Sequence, residues 1–236
     1  MRLYNALTRQ KEPFETLGDN VSLYVCGITP YDTTHMGHGF TYGSFDVLVR
    51  YLEYLGHQVQ YAQNVTDIDD DILRRAKRDG GDWWELGNRW TAHFIDDNMA
   101  LNLLAPDYFP RATDVINEII AAVQALLEAG VAYVEAGNVY FHIAADPDYG
   151  KLSQLSLTEM LPIANERGNN PDDPLKKAPM DFVLWQAQSP GEPDVKAIRP
   201  AAAADSRRGE DHAHRSARSG RLPRHVQGAV QQHPAA

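Results

Sequence analysis

The chain has 236 residues, which suffices for one large domain or two small ones with a buried core. Apolar residues make up 43% and charged residues 23%, as in globular proteins, and no apolar run reaches the roughly 20 residues of a membrane span. The single cysteine excludes an internal disulfide framework, and a net charge of -10 means that nucleic-acid binding would need a local basic face. No hydrophobic signal segment begins the sequence, so we expect a cytoplasmic protein.

The first third of the chain predicts a strand, a helix and a second strand. The apolar run of residues 21–26 ends at Gly27 and predicts a buried strand. Beyond a loop, apolar residues recur at helical spacing from about Gly39 until Gly56, which predicts a helix over that span. Residues 58–65 alternate, are rich in β-formers and predict the second strand. Strand, helix and strand in this order indicate a right-handed βαβ unit.

Further elements follow in alternation. Helices are predicted where apolar residues keep a helical period, over residues 70–78, 83–101 and 113–128. Short β-rich segments at 131–134 and 138–143 predict a hairpin. Residues 165–179 are rich in turn formers and predict a loop, whereas 182–185 form a short apolar strand or the start of a helix.

Two groups of residues have a structural and a functional interpretation. Four aspartates follow the second strand and run into the start of the next helix: Asp67, Asp69, Asp70 and Asp71. Their spacing suits magnesium, but it suits a helix N-terminal turn equally well, and we predict the helix start because carboxylates there favour the helix dipole. The tryptophans Trp83, Trp84 and Trp90 are predicted to pack in a core or interface rather than to stack on bases.

The pattern His35-x-Gly37-His38 lies between the first predicted strand and helix. Ligands of open α/β sheets bind beyond the carboxyl ends of the strands, where a helix N-terminus offers free N–H groups to a phosphate. Two imidazoles there can donate hydrogen bonds to a triphosphate, and Gly37 lets an adenine or ribose approach the backbone. Alone, this pattern is weakly specific, because a histidine near a turn is more often a surface residue than a ligand.

The wider string from Tyr24 to His38, YVCGITPYDTTHMGH, resembles the nucleotide-binding signature of the class I cysteinyl-tRNA synthetases and of the related cysteine ligases of mycothiol synthesis. The likeness continues in order through later blocks: NVTDIDD (64–70), YGKLS (149–153), DFVLW (181–185) and GEP (191–193). It covers about residues 1–195, and several ordered blocks are far more specific than one short motif.

The resemblance implies an α/β fold: a partial class I synthetase catalytic domain of Rossmann type, with an inserted connective region, over residues 1–199. It implies a monomer, without membrane contact, that activates L-cysteine with ATP and Mg²⁺ to cysteinyl-adenylate and transfers it to tRNA(Cys). The site residues that it implies are His35 and His38 as catalytic and ATP-binding groups, Thr29 and Gly37 beside them for ATP, and Cys26, Gly27 and Thr66 for the substrate.

The family also implies a zinc ion that binds the substrate thiolate, with Cys26 as its first protein ligand. Cysteine and serine differ by one atom, which a hydrogen-bonding pocket discriminates poorly and a soft metal separates cleanly. The alternative for Cys26 is a small buried hydrophobe at a strand end. The family's other zinc ligands lie downstream of the GEP block, and this chain has no second cysteine there.

The likeness stops between Pro193 and Pro200, which suggests a frameshift or a truncation of the gene. The family's lysine-serine-lysine loop and its tRNA-docking helices have no counterpart in the sequence. Residues 200–236 carry six arginines against three acidic residues and no aromatic residue, and we predict a disordered basic tail. The tail suits RNA binding, but a solvated or non-native extension is the favoured interpretation.

Three functions therefore remain open from the sequence. The first is a cysteine--tRNA ligase, and the second is the same activation chemistry with the amino sugar glucosaminyl-inositol as acceptor. The third is a non-catalytic remnant that binds a nucleotide weakly or not at all. Cysteine-dependent exchange between ATP and pyrophosphate separates the third from the other two, and acceptor assays separate those two from each other.

Overall fold

The structure is a computed structural model and describes residues 1–18 and 20–188. The predicted tail and the GEP block lie outside the described residues. Contacts divide the chain into two compact units. Of the described residues, 16–18 and 20–115 form what we call the βαβ unit, and 1–15 with 116–188 form the hairpin unit. Among the residues described, no helix is long and apolar enough to cross a membrane.

The elements alternate along the chain. The strands are β1 (Arg2–Asn5), β2 (Gln10–Pro13), β3 (Asn20–Ile28), β4 (Gln58–Val65), β5 (Ala132–Glu135), β6 (Asn138–Phe141) and β7 (Phe182–Trp185). The helices are α1 (Met36–Tyr54), α2 (Asp70–Asp79), α3 (Trp83–Ala100), α4 (Ile116–Glu128) and α5 (Leu157–Glu166). Single 3₁₀ turns precede α4 and follow β6.

The βαβ unit is built on two parallel strands joined through α1. Strand β3 pairs with β4 from Asn20 opposite Gln58 onward, which confirms the predicted strand–helix–strand arrangement. Residues 108–111 extend the sheet on the other side of β4 through parallel bridges at Ala62 and Val65. Because both strands run the same way, their carboxyl ends meet at one edge of the sheet.

Gly27 occupies a place where the two strands come too close for any side chain. A β-carbon at Gly27 would lie 1.5 Å from the carbonyl oxygen of Asn64 on β4. The register of the strands shifts between Val25 and Ile28, so the bulge and the glycine coincide. Glycine at the end of β3 is therefore a packing requirement of the sheet.

The core of the βαβ unit lies between the sheet, α1 and α3. Its buried members are Val25, Ile28, Tyr42, Val49, Tyr61, Val65, Phe94 and Phe109. A second cluster joins α2 to α3 through Ile72 and Ala76, and the partly buried Trp83 and Trp90 pack against it as predicted. Trp84 is instead 44% exposed, with the guanidinium of Arg111 6.0 Å from its ring centroid.

The hairpin unit contains a three-stranded antiparallel sheet in the order β5-β6-β7, together with the β1–β2 hairpin. The predicted hairpin at 131–143 and the short strand at 182–185 are confirmed. The fully buried carboxylate of Asp181 fixes this sheet by accepting hydrogen bonds from the Tyr133 hydroxyl (2.9 Å) and the Ile143 N–H (3.0 Å). Strands β1 and β2 and helix α5 are not among the sequence predictions.

Candidate nucleotide-binding site

The pattern His35-x-Gly37-His38 forms the beginning of α1. His35 is the N-cap, with φ -138° and ψ 173°, and the helix starts at Met36, three residues earlier than the apolar spacing predicted. The Gly37 N–H donates to Nδ1 of His35 (3.0 Å), and the His35 N–H donates to Nδ1 of His38 (3.2 Å). The two histidines thus satisfy free N–H groups at the helix start, as Ser and Glu do in a capping box.

These two bonds fix which imidazole nitrogens carry the protons. In each ring Nδ1 accepts a backbone N–H, so in the neutral tautomer the proton lies on Nε2. Both rings therefore keep one Nε2–H donor that the cap does not use. The rings stack with centroids 4.0 Å apart, which holds the two donors side by side at the positive end of a helix dipole.

The surroundings of His38 favour its neutral form. Burial lowers the pKa of His38 below its ordinary value, and the neighbouring His35 lowers that pKa further. His38 also stacks at 6.4 Å on the ring of Tyr42, which contacts Phe94 edge-on at 5.1 Å. A row of rings thus anchors the histidine pair to the core.

Gly37 leaves room for the ring that caps the helix. A β-carbon at Gly37 would lie 2.8 Å from Cε1 and 2.9 Å from Nδ1 of His35, so a larger residue would push the imidazole aside. Thr29 lies on the loop that leads to the pair, and its carbonyl accepts the N–H of Tyr31 (3.0 Å). The predicted ATP-binding residues are therefore all on the turn from β3 into α1.

The predicted cysteine-binding residues gather at the carboxyl ends of the two strands. Asn64 joins them: its Oδ1 accepts the Gly27 N–H (2.8 Å), and its Nδ2 donates to the Thr66 hydroxyl (3.3 Å). The Tyr24 hydroxyl donates to the same Oδ1 (2.9 Å). Cys26 is exposed beside them. The Gly27 N–H is thus engaged by Asn64, which the sequence analysis did not single out for a role.

The aspartates divide between two structural tasks. Asp69 caps α2 by accepting the Asp71 N–H (2.9 Å), and Asp70 lies in the first turn, so the predicted helix start is confirmed. Asp67 is buried and accepts both the N–H (3.0 Å) and the hydroxyl (2.6 Å) of Thr113. Its oxygens are therefore committed to protein donors, which makes a magnesium site on this cluster a poor fit.

The zinc expectation meets an incomplete donor set. Across residues 1–18 and 20–188, no group of three His, Cys, Asp or Glu side chains is arranged to hold a metal ion. Cys26 is an exposed thiol, and a tetrahedral zinc site needs further protein donors beside it. The described residues therefore do not make a closed zinc site, and Cys26 as a first ligand stays a prediction.

Two contacts that sequence reasoning missed hold the loop before α1. The Arg75 guanidinium on α2 donates to Oδ2 of Asp32 (2.7 Å) and to Oδ2 of Asp79 (2.8 Å). The Thr33 N–H and Arg75 lower the pKa of Asp32, and Arg78 and Arg75 lower the pKa of Asp79 to about 2. On α3, Asp97 accepts the hydroxyl of Thr34. The only sequence signal was the presence of acidic residues at unusual helix positions.

A cavity of about 570 Å³ lies elsewhere, within the hairpin unit. Arg167, Asn169, Asp173, Lys176 and Phe182 line it, and the Lys176 amine is already bonded to Oδ1 of Asn169 (2.7 Å). It includes none of the predicted site residues. The predicted site residues lie instead at the carboxyl ends of β3 and β4 and at the start of α1.

Two parallel strands joined through a helix that begins at their carboxyl edge place the chain among α/β proteins, whose ligands bind at that edge. The sequence model of the family described as tRNA synthetases class I (C) catalytic domain matches residues 13–201. The chain belongs to this family of class I synthetases and cysteine ligases. The resemblance seen in the sequence and its α/β, Rossmann-type fold class are thereby confirmed.

Individual relatives fall into two groups. A protein from Thermomonospora curvata named L-cysteine:1D-myo-inositol 2-amino-2-deoxy-alpha-D-glucopyranoside ligase is 48% identical over 176 residues, 75% of this chain and 42% of that protein. A cysteine--tRNA ligase from Thermosynechococcus vestitus is 45% identical over 196 residues, 83% of this chain and 40% of that protein. The chain thus spans about two-fifths of the length of these curated relatives.

Proposed function

We propose that the chain carries the ATP- and cysteine-binding half-site of a cysteine ligase. In this reaction the carboxylate of L-cysteine attacks the α-phosphorus of ATP, the bond to the leaving pyrophosphate breaks, and cysteinyl-adenylate forms. The proposal is supported by the stacked His35–His38 pair, because two imidazoles with Nε2–H donors at a helix start can stabilise charge on the departing phosphates. In this proposal Mg²⁺ enters with ATP as part of the substrate.

The amino-acid side of the proposal rests on the adjacent strand ends. Cys26 lies near the end of β3 and Thr66 follows β4 at the same edge, the Thr66 hydroxyl is held by Asn64, and both residues are proposed to face the cysteine substrate. The Gly27 N–H is bonded to Asn64. Gly27 is therefore proposed to contribute through its lack of a side chain rather than through a donated hydrogen bond.

We propose that the cysteinyl group is transferred to tRNA(Cys). We also propose that the protein acts as a monomer in the cytoplasm. The amino-sugar acceptor is a second candidate, because relatives named for that ligase activity reach 48% and 50% identity with this chain. The matched region is under half the length of each of these relatives, so their names alone do not choose the acceptor of this chain. Acceptor assays with each substrate discriminate between the two.

Binding of ATP to the 236-residue chain tests the proposal. We expect weak saturable binding by calorimetry, and roughly 10- to 100-fold weaker binding or loss of binding in His35→Ala and His38→Ala, because a hydrogen bond to a charged group contributes about 1.5–3 kcal/mol. His57→Gln, in the turn between α1 and β4 at the far end of α1 from the pair, is the matched control and should bind like the parent chain. Equal affinity in all four proteins would contradict the proposal.

Cysteine-dependent exchange between ATP and pyrophosphate is the second measurement. Catalytic groups that act as a unit lose most of their effect when part of the set is missing. Because the described residues supply the histidine pair without a closed zinc site, we expect little exchange even where ATP binds. Exchange at the rate of a longer relative would show that this chain holds a complete site.

A further inference from the structure

The loop that precedes the histidine pair is fastened to helix α3. The Thr34 hydroxyl donates a hydrogen bond to Oδ2 of Asp97, which lies 63 positions later in the chain. Thr34 is the residue directly before the N-cap His35, so its position sets where the cap begins. Nearby, Phe94 of α3 contacts the Tyr42 ring, so α3 also packs against α1 one turn beyond the pair.

We propose that Asp97 is a positioning residue for the nucleotide site, acting through Thr34 on the stacked His35–His38 pair. A carboxylate accepts a hydroxyl hydrogen bond more strongly than a neutral group does, so the contact is suited to fixing a loop. Asp97 touches neither imidazole, and its effect passes along the backbone from Thr34 to His35. The proposal rests on the proposed function for the identity of the ligand only.

The location of Asp97 in α3 supports a role beyond helix stability. It lies in the last turn of the helix, where a negative charge faces the negative end of the dipole, and no basic residue occupies that turn. A carboxylate in the last turn weakens the helix slightly, against the usual preference for basic residues there. A residue that departs from such a preference is often one that has a functional role. The carboxylate also lies 3.2 Å from Nδ1 of His93, on the exposed face of the helix.

The ion pair between Asp32 and Arg75 also holds this loop, and we expect it to affect the position of the histidine pair less than the Thr34–Asp97 bond does. Asp32 lies three residues before the cap, and the Arg75 guanidinium that binds it is shared with Asp79. Both partners are on the surface, where ion pairs contribute little. Arg75→Gln therefore serves as a comparison variant that loosens the loop at a greater distance from His35.

Imidazole NMR tests the proposal without ATP. Long-range ¹H–¹⁵N spectra report which ring nitrogen carries the proton, and the parent chain should show Nε2–H on His35 and His38. In Asp97→Ala and in Thr34→Val the capping bonds loosen, so we expect both rings to shift toward an average of the two tautomers. Thr34→Ser keeps the hydroxyl and should retain the parent spectrum, and Asp96→Asn removes the neighbouring charge without effect.

Affinity for ATP gives the second readout. Asp97→Ala and Thr34→Val should each weaken binding about tenfold, and the double variant should be no weaker than either one, because both changes break one contact. Parent-like imidazole spectra in a folded Asp97→Ala chain would overturn the proposal, as would additive losses in the double variant. Shifted spectra in a chain that does not bind ATP would leave Asp97 as a positioning residue and refute the nucleotide function.

Discussion

At the scale of single residues, His38 links the geometry of the site to pH. Its pKa is lowered by burial and by His35, so folding opposes its protonation. When a histidine has a lower pKa in the folded state than in the unfolded state, its full contribution to the unfolding free energy is present above the unfolded pKa of about 6.5. That contribution is lost as the pH falls from there through the pKa of the folded state. Protonation would also remove the Nδ1 acceptor that caps α1.

We therefore expect the unfolding free energy to fall between about pH 6.5 and the lower folded pKa of His38. His38→Gln is the informative variant, because glutamine at this position can keep the capping bond and does not titrate. Urea unfolding at several pH values should show a shallower acid decline for His38→Gln than for the parent chain. Identical slopes would mean that His38 does not couple folding to pH.

Gly27 carries a second residue-scale prediction. A methyl group at Gly27 must push β3 away from β4, since the β-carbon would overlap the carbonyl of Asn64. Overpacking of this kind costs roughly 3 kcal/mol, so Gly27→Ala should lower the urea midpoint strongly. Gly43→Ala, in α1 with nothing within 4 Å, is the matched control and should stabilise by about 0.5–1 kcal/mol. If neither Gly27→Ala nor Gly43→Ala lowered the unfolding free energy, the predicted clash at Gly27 would be disproved.

The sequence identified which residues lie at the candidate site better than it identified the hydrogen-bond partners that hold them. It singled out His35, Gly37 and His38, and the structure places them together at one helix start. It missed Asn64 and Asp97, because each acts across the fold on residues 37 and 63 positions away. Local patterns contain no record of such pairs, except where a residue violates a local preference, as Asp97 does.

At the scale of elements, α2 shows how a cap decides a helix boundary. Asp69 has an extended backbone (φ -164°, ψ 157°), and its carboxylate accepts the N–H of Asp71. The other end is closed by Gly80 in the left-handed region (φ 69°). One face of the helix packs on α3 through the buried Ile72 and Ala76, and the two caps fix where the helix begins and ends.

Removal of that cap should be measurable. Asp69→Ala is expected to cost about 1 kcal/mol in the unfolding free energy, and Asp69→Ser should restore most of it, because serine is an equally good N-cap. Thermal unfolding followed by circular dichroism gives both values. A cost in the serine variant as large as in the alanine variant would point to lost charge rather than to a lost cap.

Elements with strong periodicity or clear end signals were predicted well, and weakly marked ones were not. Strands β1 and β2 are four residues each, and their turn uses Arg9 in the left-handed region, where glycine would have given a signal. Helix α5 does carry a signal, the capping box of Ser156 and Glu159. Pro162 inside the helix is a signal in the opposite direction, since proline normally argues against a helix interior.

At the scale of the whole molecule, the hairpin unit depends on contacts that no local pattern contains. Residues 1–15 group with 116–188, so the beginning of the chain joins a unit that the sequence resumes after the βαβ unit. Arg9 illustrates this, because its guanidinium donates to the carbonyl of Ser153, 144 positions away. The family match covers both units, so the resemblance alone gives no boundary between them.

The outer face of α1 distinguishes this chain from an ordinary globular domain. Five apolar residues line one side of the helix and are 46–88% exposed: Met36, Phe40, Val47, Tyr51 and Tyr54. Their spacing of three, four or seven positions places them in one stripe opposite the buried Tyr42, Val49 and Leu52. Among the described residues, β3 pairs with β4 alone, so the sheet also has an open edge in the same unit.

Exposed apolar residues grouped on one helix face mark an interface or an aggregation liability. We therefore expect the isolated chain to bind a hydrophobic dye in its native state and to self-associate as its concentration rises, measured by fluorescence and light scattering. Phe40→Gln with Val47→Gln should reduce both effects without lowering the unfolding free energy, because neither side chain is in the core and glutamine suits a helix. Met99→Gln, an exposed apolar residue outside the stripe, should change neither. If the double variant bound the dye and scattered light as the parent chain does, the exposed face of α1 would not be the surface through which the chain self-associates.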